Sequence, residues 1–255
     1  MRERALRFGS VAADYERHRP GYPEEIADLV LAFAGRPVTT ALEVGAGTGK
    51  ATRLFAGRGV RVTASDPDAS MLAELRRHVP PTVVTLQASF EDLSTTLRYD
   101  LVFAAAAMHW TAPSDRWERV ARLLEPGGVF ASFGGPVQLA DPAVEQSVRD
   151  ARATFLTDDE VPSPDGTPEG DLLQWPGTEL SRSELFTDVC QTIIERRLWV
   201  SSLDYVGHLS TVSAYLELSD GDRREVLSRI LAVVPEQVEL VADLTVHLAR
   251  SRPDG

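Results

Sequence analysis

The residues best suited to chemistry are the glycines of the run Glu43–Gly49, which have the spacing G-x-G-x-G. Glycines at alternate positions permit positive φ angles in a tight turn and leave the main chain bare, and the N-terminus of a helix attracts ligands. The run follows a strand-like apolar stretch and precedes a helical one. We therefore expect a ligand to lie against Gly45, Ala46, Gly47 and Gly49.

The residues after this turn narrow the kind of ligand. A dinucleotide turn of the G-x-G-x-x-G type needs a third glycine at position 50, where the chain has Lys50. Asp66 ends the next predicted strand, where a carboxylate can accept hydrogen bonds from both ribose hydroxyls. Its alternative role is to cap the following helix. Pro67 and Met71 are candidates to cover one face of an adenine.

Three motifs together resemble those of the class I S-adenosylmethionine-dependent methyltransferases, namely Glu43–Gly49, Asp66 and Leu124–Gly128. The opening segment Asp14–Pro23 is similar to the lead-in of the small-molecule branch. The resemblance implies an α/β, Rossmann-like fold with a seven-stranded, mainly parallel sheet flanked by helices. It implies the strand order 3-2-1-4-5-7-6 with strand seven antiparallel. It also implies S-adenosyl-L-methionine as cofactor and S-adenosylhomocysteine as product.

The same resemblance suggests further cofactor-binding residues. The family commonly places an aspartate facing the adenine amino group after strand three, and Ser89 occupies that place here. Phe90 either packs on the adenine or belongs to the core. Glu43 can orient the glycine turn or reach the cofactor's ammonium group. Ala106, after strand four, is expected beside the cofactor.

The lead-in segment supplies two tyrosines and an arginine. The rings of Tyr15 and Tyr22 can face the sulfonium in a favourable cation–π arrangement, or both can be surface anchors. Arg19 can meet the cofactor carboxylate or a substrate acid. We assign Tyr15 and Arg19 to the cofactor and Tyr22 to the methyl acceptor.

The stretch after strand four contains the best candidate for a general base. Methyl transfer is an in-line displacement that depends mainly on positioning and a desolvated pocket, so a base is needed only for a weakly acidic acceptor. His109 can take a proton at neutral pH, although a packing or hydrogen-bonding role is equally open. Trp110 is expected to form a wall of the acceptor pocket.

Two later segments, Trp199–Tyr205 and Ser210–Tyr215, look like the substrate-facing region of trans-aconitate methyltransferase relatives. The resemblance assigns Trp199, Tyr205 and Tyr215 to the acceptor. An amphipathic cover helix is the alternative. No basic cluster nearby marks a polyanionic acceptor, so trans-aconitate itself is not predicted.

Periodicity along the chain predicts the elements that position these residues. Repeated βα units imply a parallel sheet with right-handed crossovers. After Gly135 a polar, proline-rich stretch breaks this order and is interpreted as a lid. We expect one elaborated domain: residues 1–137 with a cap helix and the cofactor-binding βα units, 138–184 as the inserted lid, and 185–255 with the remaining sheet and cover helices. The predicted strands are Thr39–Val44, Val60–Ser65, Val83–Ala88, Leu101–Ala106, Val129–Phe133, Val189–Leu198 and Val238–Leu248.

Composition restricts the partners. The chain of 255 residues has 38 acidic and 26 basic residues and a formal net charge of −12, which disfavours nucleic acid. No apolar run approaches the ~20 residues of a membrane span, and no signal region follows the N-terminus, so we expect a cytoplasmic protein without a membrane partner. The single Cys190 and the histidine spacing give no metal site. The oligomeric state is left open.

The leading hypothesis is methyl transfer to an oxygen, nitrogen or carbon nucleophile of a small molecule, in secondary metabolism. The main alternative is a protein of this fold that binds the cofactor but catalyses a different reaction, such as cyclisation, or only binds. A nicotinamide oxidoreductase is disfavoured by the glycine spacing, and an RNA methyltransferase is disfavoured by the net charge.

Overall fold

Strands and helices alternate along most of the chain in a computed structural model that describes residues 8–156, 163–168 and 170–252. The strands are β1 Thr40–Val44, β2 Arg61–Asp66, β3 Val84–Gln87, β4 Tyr99–Ala105, β5 Leu124–Gly134, β6 Gln138–Leu139, β7 Phe186–Ile194, β8 Arg197–Ser201, β9 Gln237–Val241 and β10 Leu244–Ser251. The helices are α1 Ala12–His18, α2 Glu24–Ala34, α3 Thr52–Gly57, α4 Ala69–His78, α5 Arg116–Leu123, α6 Pro142–Arg152, α7 Gly177–Arg182, α8 Ser202–Leu209, α9 Ser213–Leu216 and α10 Asp220–Val233. Short 3-10 turns occupy Phe8–Val11 and Met108–Trp110.

The main sheet has seven strands in the order β3-β2-β1-β4-β5-β10-β7. Strands β1 to β5 run parallel, whereas β10 is antiparallel to both β5 and β7. Strand β10 corresponds to the predicted strand seven and β7 to the predicted strand six. The observed order is therefore the predicted order 3-2-1-4-5-7-6, with strand seven antiparallel. The predicted Rossmann-like fold is therefore confirmed.

Local sequence signals set the helix ends around this sheet. Helix α2 buries Ile26 and Val30 in the main core and ends at Gly35, whose φ of +63° suits glycine. Helix α4 begins at Asp68, whose side chain accepts hydrogen bonds from Ser70 N (2.7 Å) and Met71 N (3.3 Å). Helix α2 thereby packs on the main sheet just before β1, and the cap at Asp68 starts α4 just after β2.

A second, three-stranded antiparallel sheet of order β6-β9-β8 was not predicted. The predicted strand Val189–Leu198 is two strands, β7 in the main sheet and β8 in the small one. The predicted strand Val238–Leu248 likewise divides into β9 and β10. The chain leaves and re-enters the main sheet at adjacent points, because Ala242 N donates to Arg196 O (3.0 Å). Both predictions of a continuous strand were wrong.

The small sheet has a core of its own. Helices α6, α8, α9 and α10 cover it, and its buried residues are Leu139, Val148, Tyr205, Leu209, Tyr215, Val226, Ile230, Val238 and Leu240. Helix α6 comes from the predicted lid segment 138–184, of which residues 157–162 and 169 lie outside the described residues. The three proposed chain divisions stay a prediction.

A helix that crosses a lipid bilayer needs about 20 mainly apolar residues, which sets the standard for the helices in the described part of the chain. Within it, no helix has the length and the apolar character that membrane crossing requires.

Candidate active site

A cleft opens at the carboxyl ends of β1, β4 and β5, beneath α1 and the segment that follows it. It encloses about 710 Å³ of space, including its open mouth. Its lining brings together three distant parts of the sequence: Tyr15, Arg19 and Tyr22 from the lead-in; Glu43, Gly45, Ala46, Gly47, Thr48, Lys50 and Ala106 from the βα units; and Arg196, His208, Ala242 and Leu244 from the second half.

The glycine turn offers bare backbone to this cleft. Gly45, Gly47 and Gly49 have φ angles of +67°, +55° and +85°. A Cβ on Gly45 would lie 2.6 Å from the Cβ of Ala107, whereas one on Gly47 would meet nothing within 4 Å. A Cβ on Gly49 would lie 2.8 Å from Leu75 Cγ, so the turn needs glycine for packing at its first and third positions and for conformation at all three.

The amides of the turn are less available than its sequence suggests. Ala46 N donates to Ser65 O (2.9 Å) and Gly49 N donates to Ala46 O (2.9 Å). Gly47 N donates to Asp66 Oδ2 (2.8 Å). Uncovered amides at these three positions were expected, but the turn uses them to hold its own shape. It presents a rigid surface to a ligand.

Glu43 is a buried carboxyl group at the floor of the cleft. The Thr52 hydroxyl donates to its Oε2, whereas Oε1 is buried and has no hydrogen-bond partner among the described residues. Burial, opposed by the hydrogen bond from Thr52 and aided by the nearby Asp66, raises the pKa of Glu43 to about 8. The group is mostly protonated at neutral pH, and Oε1 can bind a polar group of a ligand.

Asp66 joins the end of β2 to the glycine turn. Its Oδ2 accepts from Gly47 N (2.8 Å) and its Oδ1 from Asp68 N (2.9 Å). Because Asp68 caps α4, the alternative role of Asp66 as the helix cap is not needed. Burial raises the pKa of Asp66. Each oxygen retains a second lone pair, so the carboxylate can still accept ribose hydroxyls.

The residues predicted for the adenine follow Asp66 and the end of β3. Pro67 is half-buried and Met71 is buried at the start of α4. The Ser89 hydroxyl donates to Asp92 Oδ2 (2.8 Å), so its proton is engaged within its own turn. Phe90 is packed in the core beside β4 and β5. Their contacts with an adenine stay predictions.

Helix α1 is fastened over the glycine turn by Glu16, which sequence reasoning missed. Its carboxylate accepts from Thr48 Oγ1 (2.7 Å) and pairs with Arg53 Nη2 (2.9 Å), and its backbone oxygen accepts from Lys50 Nζ (2.6 Å). Burial alone would raise the pKa of Glu16, but these partners outweigh burial and lower it. The only lysine of the chain, at the position of the missing third glycine, was the available sequence signal.

Arg19 connects the lead-in to the small sheet's helices. Its Nε donates to Thr211 Oγ1 (2.9 Å) and its Nη2 to Thr211 O (3.0 Å). Its guanidinium carbon lies 5.2 Å from the centre of the Tyr15 ring. Arg19 thereby holds Tyr15 at the cleft.

Three further groups line the cleft. Tyr22 packs edge-on against Phe133, with 5.2 Å between ring centres. Arg196 donates from Nη1 to Gly21 O (3.0 Å). His208 is 4% exposed, and its Nδ1 is buried without a hydrogen-bond partner among the described residues. Arg196 and His208 were missed because only the fold brings them near the lead-in.

Comparisons with known proteins agree with this geometry. A methyltransferase-domain family profile matches residues 41–128. An uncharacterized methyltransferase of Mycobacterium tuberculosis is 43% identical over 127 residues, which cover 50% of this chain and 51% of that protein. The chain thus matches about half the length of this curated relative.

Solved structures extend the likeness beyond the matched half. A candidate type II methyltransferase of Anaeromyxobacter dehalogenans has a TM-score of 0.65 and 26% identity, covering 92% of this chain and 99% of that one. Residues 41–128 therefore match a methyltransferase domain, and the chain as a whole has the fold of a class I S-adenosylmethionine-dependent methyltransferase. The methyltransferase fold also recurs in a Haemonchus contortus phosphoethanolamine N-methyltransferase solved with S-adenosylmethionine (TM-score 0.53, 15% identity, 96% of this chain and 57% of that chain).

Ala106, directly after β4, has a strained backbone conformation. Ala106 has a φ of +49°, unusual for a residue with a side chain, and its N–H donates to Phe133 O (2.8 Å). A Cβ on Gly134 would approach the Cβ of Ala106 to 3.2 Å. This close approach of β4 and β5 directs the backbone of Ala106 to the cleft.

His109 lies in the 3-10 turn after Ala106 but is not among the residues that line the cleft. Its ring lies 4.8 Å from that of Trp110, and Trp110 contacts the Phe8 ring at 6.1 Å. Burial, and next the charge of Arg116, lower the pKa of His109 to about 4. The imidazole is therefore neutral at pH 7, and its role as a base stays a prediction.

The structure does not bring the remaining predicted acceptor residues to the cleft. Trp199 is 68% exposed on β8 and borders a separate groove with Val144 and Glu239. Tyr205 and Tyr215 are buried in the core of the small sheet, because the helical apolar stripe packs there. The amphipathic cover helix, the alternative to a substrate-facing segment, describes what is seen.

The side chains that could bind a metal ion are dispersed in the described part of the chain. Across residues 8–156, 163–168 and 170–252, His, Cys, Asp and Glu side chains form no group of three or more that could hold an ion.

Proposed function

We propose that this chain transfers a methyl group from S-adenosylmethionine to a nucleophile of a small molecule. The observation that carries the proposal is the rigid, bare glycine turn beside the buried, unpartnered Oε1 of Glu43. Both fit a ligand with a polar amino-acid portion that lies against the main chain. When bound, the cofactor supplies a methyl group on a positively charged sulfur.

The chain's own residues would bind and orient the two reactants. Glu43 is placed to accept a hydrogen bond from an ammonium group, and Arg19 to bind a carboxylate. The Tyr15 ring offers its face to a cation. Asp66 is the proposed ribose ligand. Helix α1, held down by Glu16, would exclude water from the reacting atoms.

His109 is the proposed proton acceptor for an acceptor that needs one. Because its pKa is about 4, it is a weak base that stays neutral over the physiological range. We expect His109→Gln to lower turnover with unchanged affinity for S-adenosylhomocysteine. Full activity of this variant would show that the residue only supports the 3-10 turn.

Thermal unfolding tests the cofactor assignment first. S-adenosylmethionine or S-adenosylhomocysteine at ~100 times its dissociation constant should add about 2.7 kcal/mol of stability. Stabilisation by NAD alone would refute the proposal. S-adenosylhomocysteine formation with an acceptor panel, with identification of the product, then separates methyl transfer from cyclisation or mere binding.

A further inference from the structure

Arg196 is a cation in the cleft without an anionic partner. It is half-buried between β7 and β8, and its Nη1 donates to the carbonyl oxygen of Gly21 (3.0 Å). Within the described residues no carboxylate lies within ion-pair distance of its side chain. The adjacent Arg197, by contrast, pairs with Asp243 at 2.9 Å outside the cleft.

The missing partner is notable in an acidic chain. With 38 acidic and 26 basic residues, carboxylates are in excess over cations. A partly buried guanidinium that lacks a counter-ion loses hydration without a compensating ion pair. Burial accordingly lowers the pKa of Arg196, although arginine remains charged. The site is arranged to receive an anion.

A second arginine accounts for the cofactor's carboxylate. Arg19 lies on the lead-in beside Tyr15, and we have assigned it to that group above. Tyr22 lies between the two arginines: burial, above all, raises the pKa of its hydroxyl, whereas the charges of Arg19 and Arg196 lower it. Arg196 is therefore left for the other reactant.

His208, which lines the same cleft, supplies independent evidence that the cleft binds a ligand. The side chain is 4% exposed, lines the cleft, and leaves Nδ1 buried without a hydrogen bond to the described residues. Burial, Arg19 and His18 lower the pKa of His208 to about 3, so its ring is neutral. A neutral imidazole offers one donor and one acceptor.

We propose that Arg196 binds a carboxylate of the methyl acceptor, so that the substrate is a small carboxylic acid. This inference rests on the proposed function. The planar guanidinium matches a carboxylate bidentately, and Tyr22 and His208 also line the cleft. Arg19 and Arg196 both place a guanidinium at the cleft, which favours an anion there despite the acidic surface.

Arg196→Gln tests this assignment, with Arg197→Gln as a matched control that removes the same charge one residue away. Binding of acetate, succinate, benzoate and phenylacetate, and of their primary amides, is measured by calorimetry and thermal shift on protein saturated with S-adenosylhomocysteine. In the wild type and the control we expect at least one acid to bind more tightly than its amide. Arg196→Gln should weaken that acid roughly 10- to 150-fold and leave the amides unchanged.

Two cofactor fragments show which carboxylate Arg196 binds. S-adenosylhomocysteine contains the amino-acid portion, whereas methylthioadenosine lacks it. Arg196→Gln should leave the affinity for both unchanged, whereas Arg19→Gln should weaken only S-adenosylhomocysteine. If Arg196→Gln weakens S-adenosylhomocysteine alone, Arg196 binds the cofactor and the proposal is overturned.

The remaining outcomes are also decisive. Equal binding of every acid and its amide by the wild type would refute the inference. Failure of S-adenosylhomocysteine to bind would instead refute the proposed function, and the acid and amide series without it would still decide the role of Arg196. Should Arg196→Gln not fold, Arg196→Lys replaces it: the charge without the planar fork should keep the acid preference at lower affinity, and unchanged acid affinity would contradict the assignment.

Discussion

At the residue scale, the cleft combines a carboxyl group that keeps its proton with guanidinium groups that keep theirs. Glu43 is desolvated and has one unpartnered oxygen, whereas Arg19 and Arg196 retain their charge. Binding groups are thus held ready beside an already rigid turn.

The protonation of Glu43 predicts a pH-dependent stability. Its pKa is about 8 in the folded chain and near 4.5 when unfolded, so between these values only the native state holds the proton. The free energy of unfolding should therefore fall as pH rises through this window, by up to about 1.4 kcal/mol per pH unit from this residue. Glu43→Gln should show a shallower decline in urea unfolding measured from about pH 5 to about pH 8. Parallel curves would mean that Glu43 is ionised in the native protein.

Asp66 and Asp68 offer a matched pair of carboxylates. If Asp66 binds ribose, Asp66→Asn should weaken S-adenosylhomocysteine by about 1 to 3 kcal/mol in calorimetry. Asp68→Ala removes the cap of α4 and should lower stability by about 1 kcal/mol while affinity is retained. Equal affinity in the wild type and Asp66→Asn would remove Asp66 from the ribose site.

Local sequence could predict only the part of this site that lies along one stretch of chain. Glycine spacing located the turn, and the acidic ends of the strands located Glu43 and Asp66. Arg196 and His208 belong to no local motif. They reach the cleft because the chain crosses from the main sheet to the small one, and no local sequence pattern predicts that crossing. Trp199 was assigned to the acceptor by family resemblance. Its exposed position depends on the pairing of β8 with β9, which no local sequence pattern predicts.

At the element scale, α1 is a cap whose position depends on a few polar contacts. Glu16 joins it to the turn and to α3 through Thr48, Lys50 and Arg53. Arg19 joins its C-terminal end to Thr211. The cap can therefore separate from the turn without disrupting the main sheet.

Glu16→Gln should loosen this cap. Loss of its charged contacts is expected to favour opening by about 1 to 2 kcal/mol, so amides of residues 12–18 should exchange hydrogen roughly 5 to 30 times faster. Affinity for S-adenosylhomocysteine should fall with it. Glu225→Gln, which removes an exposed helical ion pair with Arg229, serves as the control. Equal exchange in the two variants would show that other contacts hold α1.

The same scale explains which strands could be predicted. Buried parallel strands in β1, β2 and β4 give apolar runs that end at turns, so their existence followed from the βα pattern, whereas their order was implied by the family resemblance. The residues Val238, Leu240, Leu244 and Val246 alternate without interruption, yet they belong to two sheets. A period of two is the same on either side of a bend, so it does not reveal that the strand changes sheets.

At the scale of the whole molecule, two cores meet at one cleft. The main sheet supplies the glycine turn that follows β1. The helices of the small sheet supply His208 and Thr211, and Thr211 accepts hydrogen bonds from Arg19. Stability and binding therefore depend on different residues in the second half of the chain.

Substitutions in the small unit should separate these roles. Tyr215→Ala removes a fully buried ring and should lower the free energy of unfolding by about 3 to 5 kcal/mol. Trp199→Ala, on the exposed face, should change stability by less than about 0.5 kcal/mol and leave kcat/KM unaltered. Denaturant unfolding and steady-state kinetics measure both. A large loss of kcat/KM in a stable Trp199→Ala would return that residue to the acceptor site.

The hydrogen bond between Ala242 N and Arg196 O closes the base of a long excursion from the main sheet. The excursion between these residues can change length at little entropic cost, because closure entropy grows only with the logarithm of loop length and its ends are already held by the pairing of β7 with β10. The excursion carries His208 to the cleft. We therefore expect a different excursion between the same two residues to change the wall of the cleft around His208 while the main sheet keeps its form.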